Sequence, residues 1–516
     1  MLAKLGSDEV FEPGMGDGDP GWHGAPVYRG GGPGYPECVL LLVAGCKPAT
    51  APLPLPDAVA VVSDSGNDRV VYIHLADGAL VYTLDLRALT PNDCGSDYGG
   101  TAPAGSTCIP FQSDPETITD VDGSVHDELT FTYDREAGDP YFERSAFERV
   151  RLAPPGGSDL ATVLWRLDAL DFQTNFAGDD DACINVNPCE DRPDDSSATL
   201  DLALRCHMAH SHDFDVVHED QTSVDLLIAD TNNERALAVH LDKSTTCGVV
   251  TSVLDDVHVP GWSIGRTPND IDAVALDDGS TAALVTFRSS NGDVGSGGIA
   301  QGGDGNGMVM LFTPDTGGWA HAWTWPPTGF LNSPHDSSIV NSASGARFLV
   351  GAHSDGNGQN LQADWTFADD SRGSVSVAKF GADLTEPPDY RFDAVVATSR
   401  DEPGLGFVRA AVPFVAGTPG AADPAGIDWA IADSGCMSPA ASCEHVPGIR
   451  TIQFDLDDPT DGDAPGDFAP HRADQTDLDA PASPPVPCGF AVPYTVTLLW
   501  STGDAVAGTT PGTCGT

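Results

Sequence analysis

Short apolar runs rich in Val, Leu, Ile and Thr recur along the whole chain, each closed by Asp, Gly or Asn. Many alternate apolar with polar residues, and others are apolar throughout, as strands buried on both faces would be. No segment keeps a helical period for three turns, so the chain reads as strands and turns.

The strands repeat. Asp64-Ser65-Gly66-Asn67-Asp68-Arg69 leads into Val70-Val71-Tyr72-Ile73-His74-Leu75, an Asp77-Gly78 turn and Leu80-Val81-Tyr82-Thr83-Leu84. Asp230-Thr231-Asn232-Asn233-Glu234-Arg235 leads into Ala236-Leu237-Ala238-Val239-His240-Leu241 with Asp, Asn and Arg at the same offsets. A degenerate copy runs from Ile431-Ala432-Asp433-Ser434-Gly435 to Arg450-Thr451-Ile452-Gln453-Phe454. A second signal, His126-Asp127, His212-Asp213, Asn269-Asp270 and His335-Asp336, precedes alternating runs and marks where units open. Val163-Leu164-Trp165-Arg166-Leu167 and His321-Ala322-Trp323-Thr324-Trp325 close units. Small sheets apolar on both faces must stack on their neighbours, and radial stacking closes a ring. The expectation is an all-β β-propeller with blades near 57–90, 115–170, 205–256, 262–326, 330–398 and 405–457, and with 488–500 completing one of them. Six blades are expected, with seven or eight as alternatives. The segments 174–199 and 457–487 read as acidic insertions in a single domain spanning 47–516.

Twelve cysteines bear on the compartment. Ten fall in sequence-local couples, Cys94/Cys108, Cys183/Cys189, Cys206/Cys247, Cys436/Cys443 and Cys488/Cys514. Local couples without any CxxC favour disulfides formed in an oxidising compartment over zinc. Val39-Leu40-Leu41-Leu42-Val43-Ala44-Gly45-Cys46 resembles a bacterial lipobox, which would make Cys46 a lipidated mature N-terminus and residues 1–46 a signal region with a misplaced upstream start. Cleaved secretion is the alternative, and either way the protein is expected in the cell envelope or outside it. No apolar run is long enough for a transmembrane helix.

Charge narrows the partners. The chain carries 24 Lys+Arg against 77 Asp+Glu, a formal net charge of −53. Such a surface repels nucleic acid and anionic lipid. The acids read as a solubilising coat; calcium is a weak alternative, because no Asp-x-Asp-x-Asp-Gly loop with a distal Glu is present, and no cofactor is expected.

Blade-opening residues converge on the channel of a propeller, so His126, His212, Asn269 and His335 are expected to share one polar ring at its mouth. The cluster Cys206-His207-Met208-Ala209-His210-Ser211-His212 offers a copper or zinc alternative, since residues two apart on a strand share a face. Few bases are available to receive an anion; Arg166, Arg235, Arg266 and Arg288 lie near the opening motifs.

Three stretches resemble the bacterial aryl-sulfate sulfotransferases, six-bladed propeller enzymes of the periplasm. The first runs from Val163-Leu164-Trp165-Arg166-Leu167 through Asp171-Phe172 and His210-Ser211-His212-Asp213 to Leu226-Leu227-Ile228-Ala229-Asp230. The second is Pro268-Asn269-Asp270-Ile271 with Ala283-Leu284-Val285-Thr286-Phe287-Arg288, and the third is Ser333-Pro334-His335-Asp336. Their order covers residues 160–360. The resemblance implies that His335 is a nucleophile accepting a sulfuryl group from an aryl sulfate. His212, Asn269 and Arg288 would bind sulfate and phenolic oxygens, with His126, Arg266 and Thr267 nearby as substrate contacts. Thr267 stands where the family has a histidine two residues before the Asn. The partner implied is a small phenolic or sulfated molecule. A non-enzymatic propeller lipoprotein that binds a polymer or an envelope partner is the competing reading.

Overall fold

The computed structural model describes residues 58–74, 80–89, 107–136, 144–153, 161–168, 172–173, 211–231, 235–244, 247–256, 266–290, 307–316, 318–326, 331, 334–342, 345–353, 374–388, 392–395, 408–414, 421–422, 427–434, 448–454 and 493–500. All lie in the unit Ala51–Thr516 and form six sheets, the blades of a β-propeller.

Blade two orders its strands Thr107–Thr119, Val125–Glu136, Arg144–Leu152 and Ala161–Asp168 from the axis outward. Blade three runs Asp213–Glu219, Ser223–Asp230, Arg235–Asp242 and Cys247–Asp256, with the short Phe172–Gln173 on its outer edge. Blade four runs Arg266–Ala275, Thr281–Ser290, Met308–Asp315 and Gly318–Trp325. Blade five runs Pro334–Ser342, Arg347–His353, Ser374–Lys379 and Phe392–Val395; Ala421–Ala422 pairs alongside Pro334–Ser342. The described strands of blade six are Val408–Phe414, Ile427–Asp433 and Gly448–Phe454.

Blade one is composite. Ala58–Asp64, Arg69–His74 and Leu80–Asp85 come from the start of the described chain, whereas the inner strand, Pro493–Trp500, comes from its end. The segment expected to complete a blade therefore completes the first one and closes the ring, which covers the apolar end faces that an open stack of sheets would leave.

Strict alternation explains the continuous apolar runs. Val59 and Val61 pack towards blade two with Leu129, Phe131 and Tyr133, while Ala60 and Val62 pack towards blade six with Ala430, Ala432 and Ile449. Leu226 and Ile228 likewise join Phe147 and Trp165, while Leu227 and Ala229 join Ala283 and Val285. Each of these strands feeds two seams, so both of its faces are largely apolar.

The repeated Asp-x-x-Asn-x-Arg is a hairpin lock. Arg69 Nε donates to Asp64 Oδ2 at 2.9 Å and Asn67 Nδ2 donates to the same oxygen at 2.7 Å. Arg235 Nε donates to Asp230 Oδ2 at 2.6 Å in the second copy. Arg235 is thereby committed to structure and is not a channel cation. The described helices are a 3₁₀ turn at Ser65–Asn67 and a single turn at Leu86–Leu89. Among the described residues no helix is long and apolar enough to cross a membrane. Cys108 is disulfide-bonded. Cys46, Cys94, Cys183, Cys189, Cys206, Cys436, Cys443, Cys488 and Cys514, the side chain of Cys247, and the segments 1–46, 174–199 and 457–487 lie outside the described residues.

Candidate functional site

Inner strands share a fault near their axial start. The ladder register shifts between Pro110 and Ser113 in blade two, around Asn269 between Pro268 and Asp270 in blade four, and around His335 between Pro334 and Asp336 in blade five. It shifts again around Arg409 between Val408 and Ala410 in blade six, and opposite Tyr494 in blade one. In blade three His212 stands immediately before the strand Asp213–Glu219. A bulge turns a side chain out of the pleat. Five bulges, and the position just before the inner strand of blade three, supply one side chain per blade to a common cluster: Tyr494, Phe111, His212, Asn269, His335 and Arg409, all between 1% and 7% exposed.

The next residue in the strand has another task. Gln112 Oε1 accepts from the Phe214 amide at 3.0 Å, Asp213 Oδ2 from Ile271 at 2.7 Å, Asp270 Oδ2 from Ser337 at 2.9 Å and Asp336 Oδ2 from Ala411 at 3.2 Å. Each acceptor follows a cluster residue, and each donor lies two residues beyond the cluster residue of the next blade. The His-Asp and Asn-Asp pairs thus divide into an axial side chain and a clamp that satisfies an amide freed by the bulge.

Asn269 joins the two histidines. Its Oδ1 lies 2.7 Å from His212 Nδ1, and its Nδ2 donates to the His335 carbonyl oxygen and approaches His335 Nδ1, both at 2.7 Å. Arg409 Nη1 lies 3.0 Å from His335 Nε2, its Nε donates to Ser434 Oγ at 3.1 Å, and its guanidinium carbon stands 4.5 Å from the Tyr494 ring centre. The Tyr494 hydroxyl reaches His212 Nδ1 at 2.5 Å. Phe111 and His212 have ring centres 4.6 Å apart, and the His212 and His335 rings lie nearly parallel at 6.4 Å.

Electrostatics hold His335 neutral. Burial pushes its pKa well below the usual imidazole range, and the charges of Arg409 and Arg288 and the proximity of His212 push it further. Arg409 Nη1 faces Nε2, so a ring protonated on both nitrogens would meet a donor there where it needs an acceptor. Burial lowers Arg409 to about 10, with Arg288 acting in the same direction, so it is still charged near neutral pH. Burial raises Tyr494 to about 12, against the opposing pull of Arg409 and Arg288.

The structure brings together His212, Asn269 and His335, and sets Arg288 close enough for its charge to be felt by His335, Arg409 and Tyr494. It does not bring His126. That residue was expected to open a blade, but it lies on the second strand of blade two, paired with Ile118, with its Nε2 2.8 Å from Glu128 Oε1. The correction has a simple cause: the inner strand of blade two begins earlier, at Thr107, and carries Phe111-Gln112 at the opening position. His335, expected in a polar ring at the mouth of the channel, is only 1% exposed, covered by Arg409 and Tyr494. Arg266 and Thr267 begin the inner strand of blade four, and their side chains lie outside the described residues. His207 and His210 also lie outside them, and among the described residues no three His, Cys, Asp or Glu side chains converge as metal ligands. Arg409, Tyr494 and Phe111 were not anticipated. Arg409 could have been found as the one basic residue in the opening run of the sixth unit, Val408-Arg409-Ala410-Ala411-Val412.

No family model matches the chain, and no curated protein matches it. Solved structures do. A Bacteroides uniformis protein provisionally described as a 6-phosphogluconolactonase is 11% identical over 86% of this chain and 100% of its own, with a TM-score of 0.34. The periplasmic gluconolactonase of Pseudomonas aeruginosa is 10% identical over 77% of this chain and 92% of its own, with a TM-score of 0.31. An α-L-arabinofuranosidase of Fusarium graminearum is 10% identical over 68% of this chain and 94% of its own, with a TM-score of 0.33. Likenesses this distant carry no argument about function.

Proposed function

We propose that the cluster transfers a sulfuryl group between phenolic oxygens, with His335 as the nucleophile, in a protein exported to the cell envelope. The observation that carries this reading is the neutral His335 imidazole held between Asn269 and Arg409, with Arg288 beside them. A neutral imidazole is a nucleophile, and two guanidinium groups supply the forks of donors that a sulfonate needs.

In the first half-reaction Arg409 turns from Nε2 onto the sulfonate oxygens, and Nε2 attacks sulfur. An N–S bond forms, the S–O bond to the phenol breaks, and the electron pair leaves on the phenolate, which takes a proton from solvent. In the second half an acceptor phenol gives up its proton to solvent, its oxygen attacks sulfur, and the N–S bond breaks with its electron pair returning to Nε2, which restores His335. Asn269 fixes both imidazole rings, and Arg409 takes the charge-stabilising place that Thr267 leaves unfilled. Cations fixed in advance around the developing charge make this efficient.

One observation favours the second reading, a non-enzymatic binding propeller: the cluster is packed nearly shut. In that case the six side chains are a plug at the axis. The two part on one experiment. Incubation with a chromogenic aryl sulfate and a phenol acceptor should release coloured phenol and leave a sulfated peptide containing His335 when the acceptor is withheld. Silence across a panel of aryl sulfates, or release that persists in His335→Ala, would overturn the transferase reading.

A further inference from the structure

Beneath the cluster lies a concentration of carboxyl groups that the chemistry above does not use. Asp114 comes from blade two, Asp213 and Asp215 from blade three, Asp270 and Asp272 from blade four, and Asp336 from blade five, all on inner strands. Two of them meet at the seam between blades three and four: Asp213 Oδ2 accepts from the amide of Ile271, the residue directly after Asp270, and each carboxyl lies within the field of the other. Their outer oxygens are already committed: Asp213 Oδ2 accepts from Ile271, and Asp270 Oδ2 from Ser337 and from Thr286 Oγ1 at 3.0 Å. Asp213 Oδ1 receives no N–H or O–H from any residue, although Asp213 is only 4% exposed.

Two buried carboxylates cannot back onto each other while both are charged, and a carboxyl pair resolves this by holding one proton. Burial raises both groups, Asp213 further, with Asp270 and Asp272 adding to Asp213. The charged groups facing the pair are Asp272 and Asp336, with Asp215 and Asp114 next in the column and Glu116 beyond them, and each of these is an acid. Arg288, on the second strand of blade four, serves the cluster above.

We infer that Asp213 is carried as the neutral acid, and that the proton it donates to Asp270 locks blade three to blade four and so positions His212 and Asn269, the residues directly before the pair. Asp213 is then a positioning residue, and loss of its proton opens this seam in particular. The inference rests on the cluster's geometry and holds whether or not the cluster transfers sulfuryl groups.

The test uses the full-length chain without substrate. Asp213→Asn replaces the acid by an amide that can accept from Ile271 and donate to Asp270. Hydrogen exchange, corrected for the intrinsic effect of pH, is followed from pH 5.5 to 8.5 in peptides spanning 211–219 and 266–275. The unmutated seam and Asp213→Asn should be protected alike at pH 5.5, any loss of protection as pH rises should appear in the unmutated seam alone, and Asp213→Ala should be less protected by roughly tenfold or more across the range. The inference is overturned if Asp213→Asn is less protected than the unmutated seam at pH 5.5, if both lose protection in parallel as pH rises, or if Asp213→Asn is as unprotected as Asp213→Ala. Should Asp213→Ala fail to fold, the comparison of the unmutated chain with Asp213→Asn decides alone.

Discussion

At the scale of single residues, the cluster depends on a histidine that stays uncharged. His335→Ala should lower sulfuryl transfer by at least about a thousandfold, because no other group in the cluster replaces a covalent intermediate; steady-state release of coloured phenol measures it. Arg409→Gln should slow transfer by roughly a hundredfold, the usual cost of one charge-stabilising donor. The same change removes a positive neighbour of His335, so the acid limb of the rate profile should move to higher pH. In the unmutated protein that limb should lie below about 6.5, where free histidine titrates, since burial and Arg409 disfavour the charged ring. An acid limb at or above that value in the unmutated protein would show that His335 is not the neutral base described here.

Elements explain how much of this was legible. The blades could be read because each strand feeds two apolar seams, and that demand writes continuous Val, Leu and Ala runs into the sequence. The hairpin locks were legible because an Asp and an Arg five residues apart in both copies face each other across a tight turn. The cluster was only partly legible, because membership is set by a bulge at the start of the inner strand and not by residue type. His212, Asn269 and His335 stood out through the Asp clamps that follow them. Phe111 is followed by Gln112, Arg409 by Ala410 and Tyr494 by Thr495, so three of the six blades wrote the position in other letters. His126-Asp127 shows the converse, where the right letters stand on the wrong strand. Gly307 offers a test at this scale. It exchanges two backbone hydrogen bonds with Leu331 at 2.8 and 2.7 Å, and a Cβ there would come within 2.1 Å of the Pro334 ring and 2.7 Å of the Phe287 carbonyl oxygen. Gly307→Ala should therefore cost about 1–3 kcal/mol, as overpacking does, and disturb His335 through its neighbour Pro334. Chemical denaturation gives the first quantity, and transfer rate the second.

For the molecule as a whole, the acids at the axis set the response to pH. Burial raises Asp114 to about 8, with Asp215, Asp270 and Glu116 adding, and raises Asp213, Asp215, Asp270, Asp272 and Asp336 in the same direction. These groups keep protons in the folded chain to a higher pH than in the unfolded chain, which releases them near pH 4. The stability they contribute is therefore complete below about pH 4 and lost as pH rises towards 8. The thermal midpoint should fall from pH 5 to pH 8.5, the reverse of the usual behaviour of a protein rich in ion-paired carboxylates. A midpoint that rises across this interval would contradict the protonated column.

Closure by Pro493–Trp500 also has a consequence in time. Tyr494 meets His212 across 282 positions of sequence, and Thr495 bonds Phe111 across 384. Contacts so remote form late and slowly. A ribosome makes the two histidines long before it makes the tyrosine that covers them, so a growing chain can assemble five blades while its chemistry is still unfinished. A product cut short before residue 493 lacks the inner strand of blade one, and with it the side chain that covers His212 and His335.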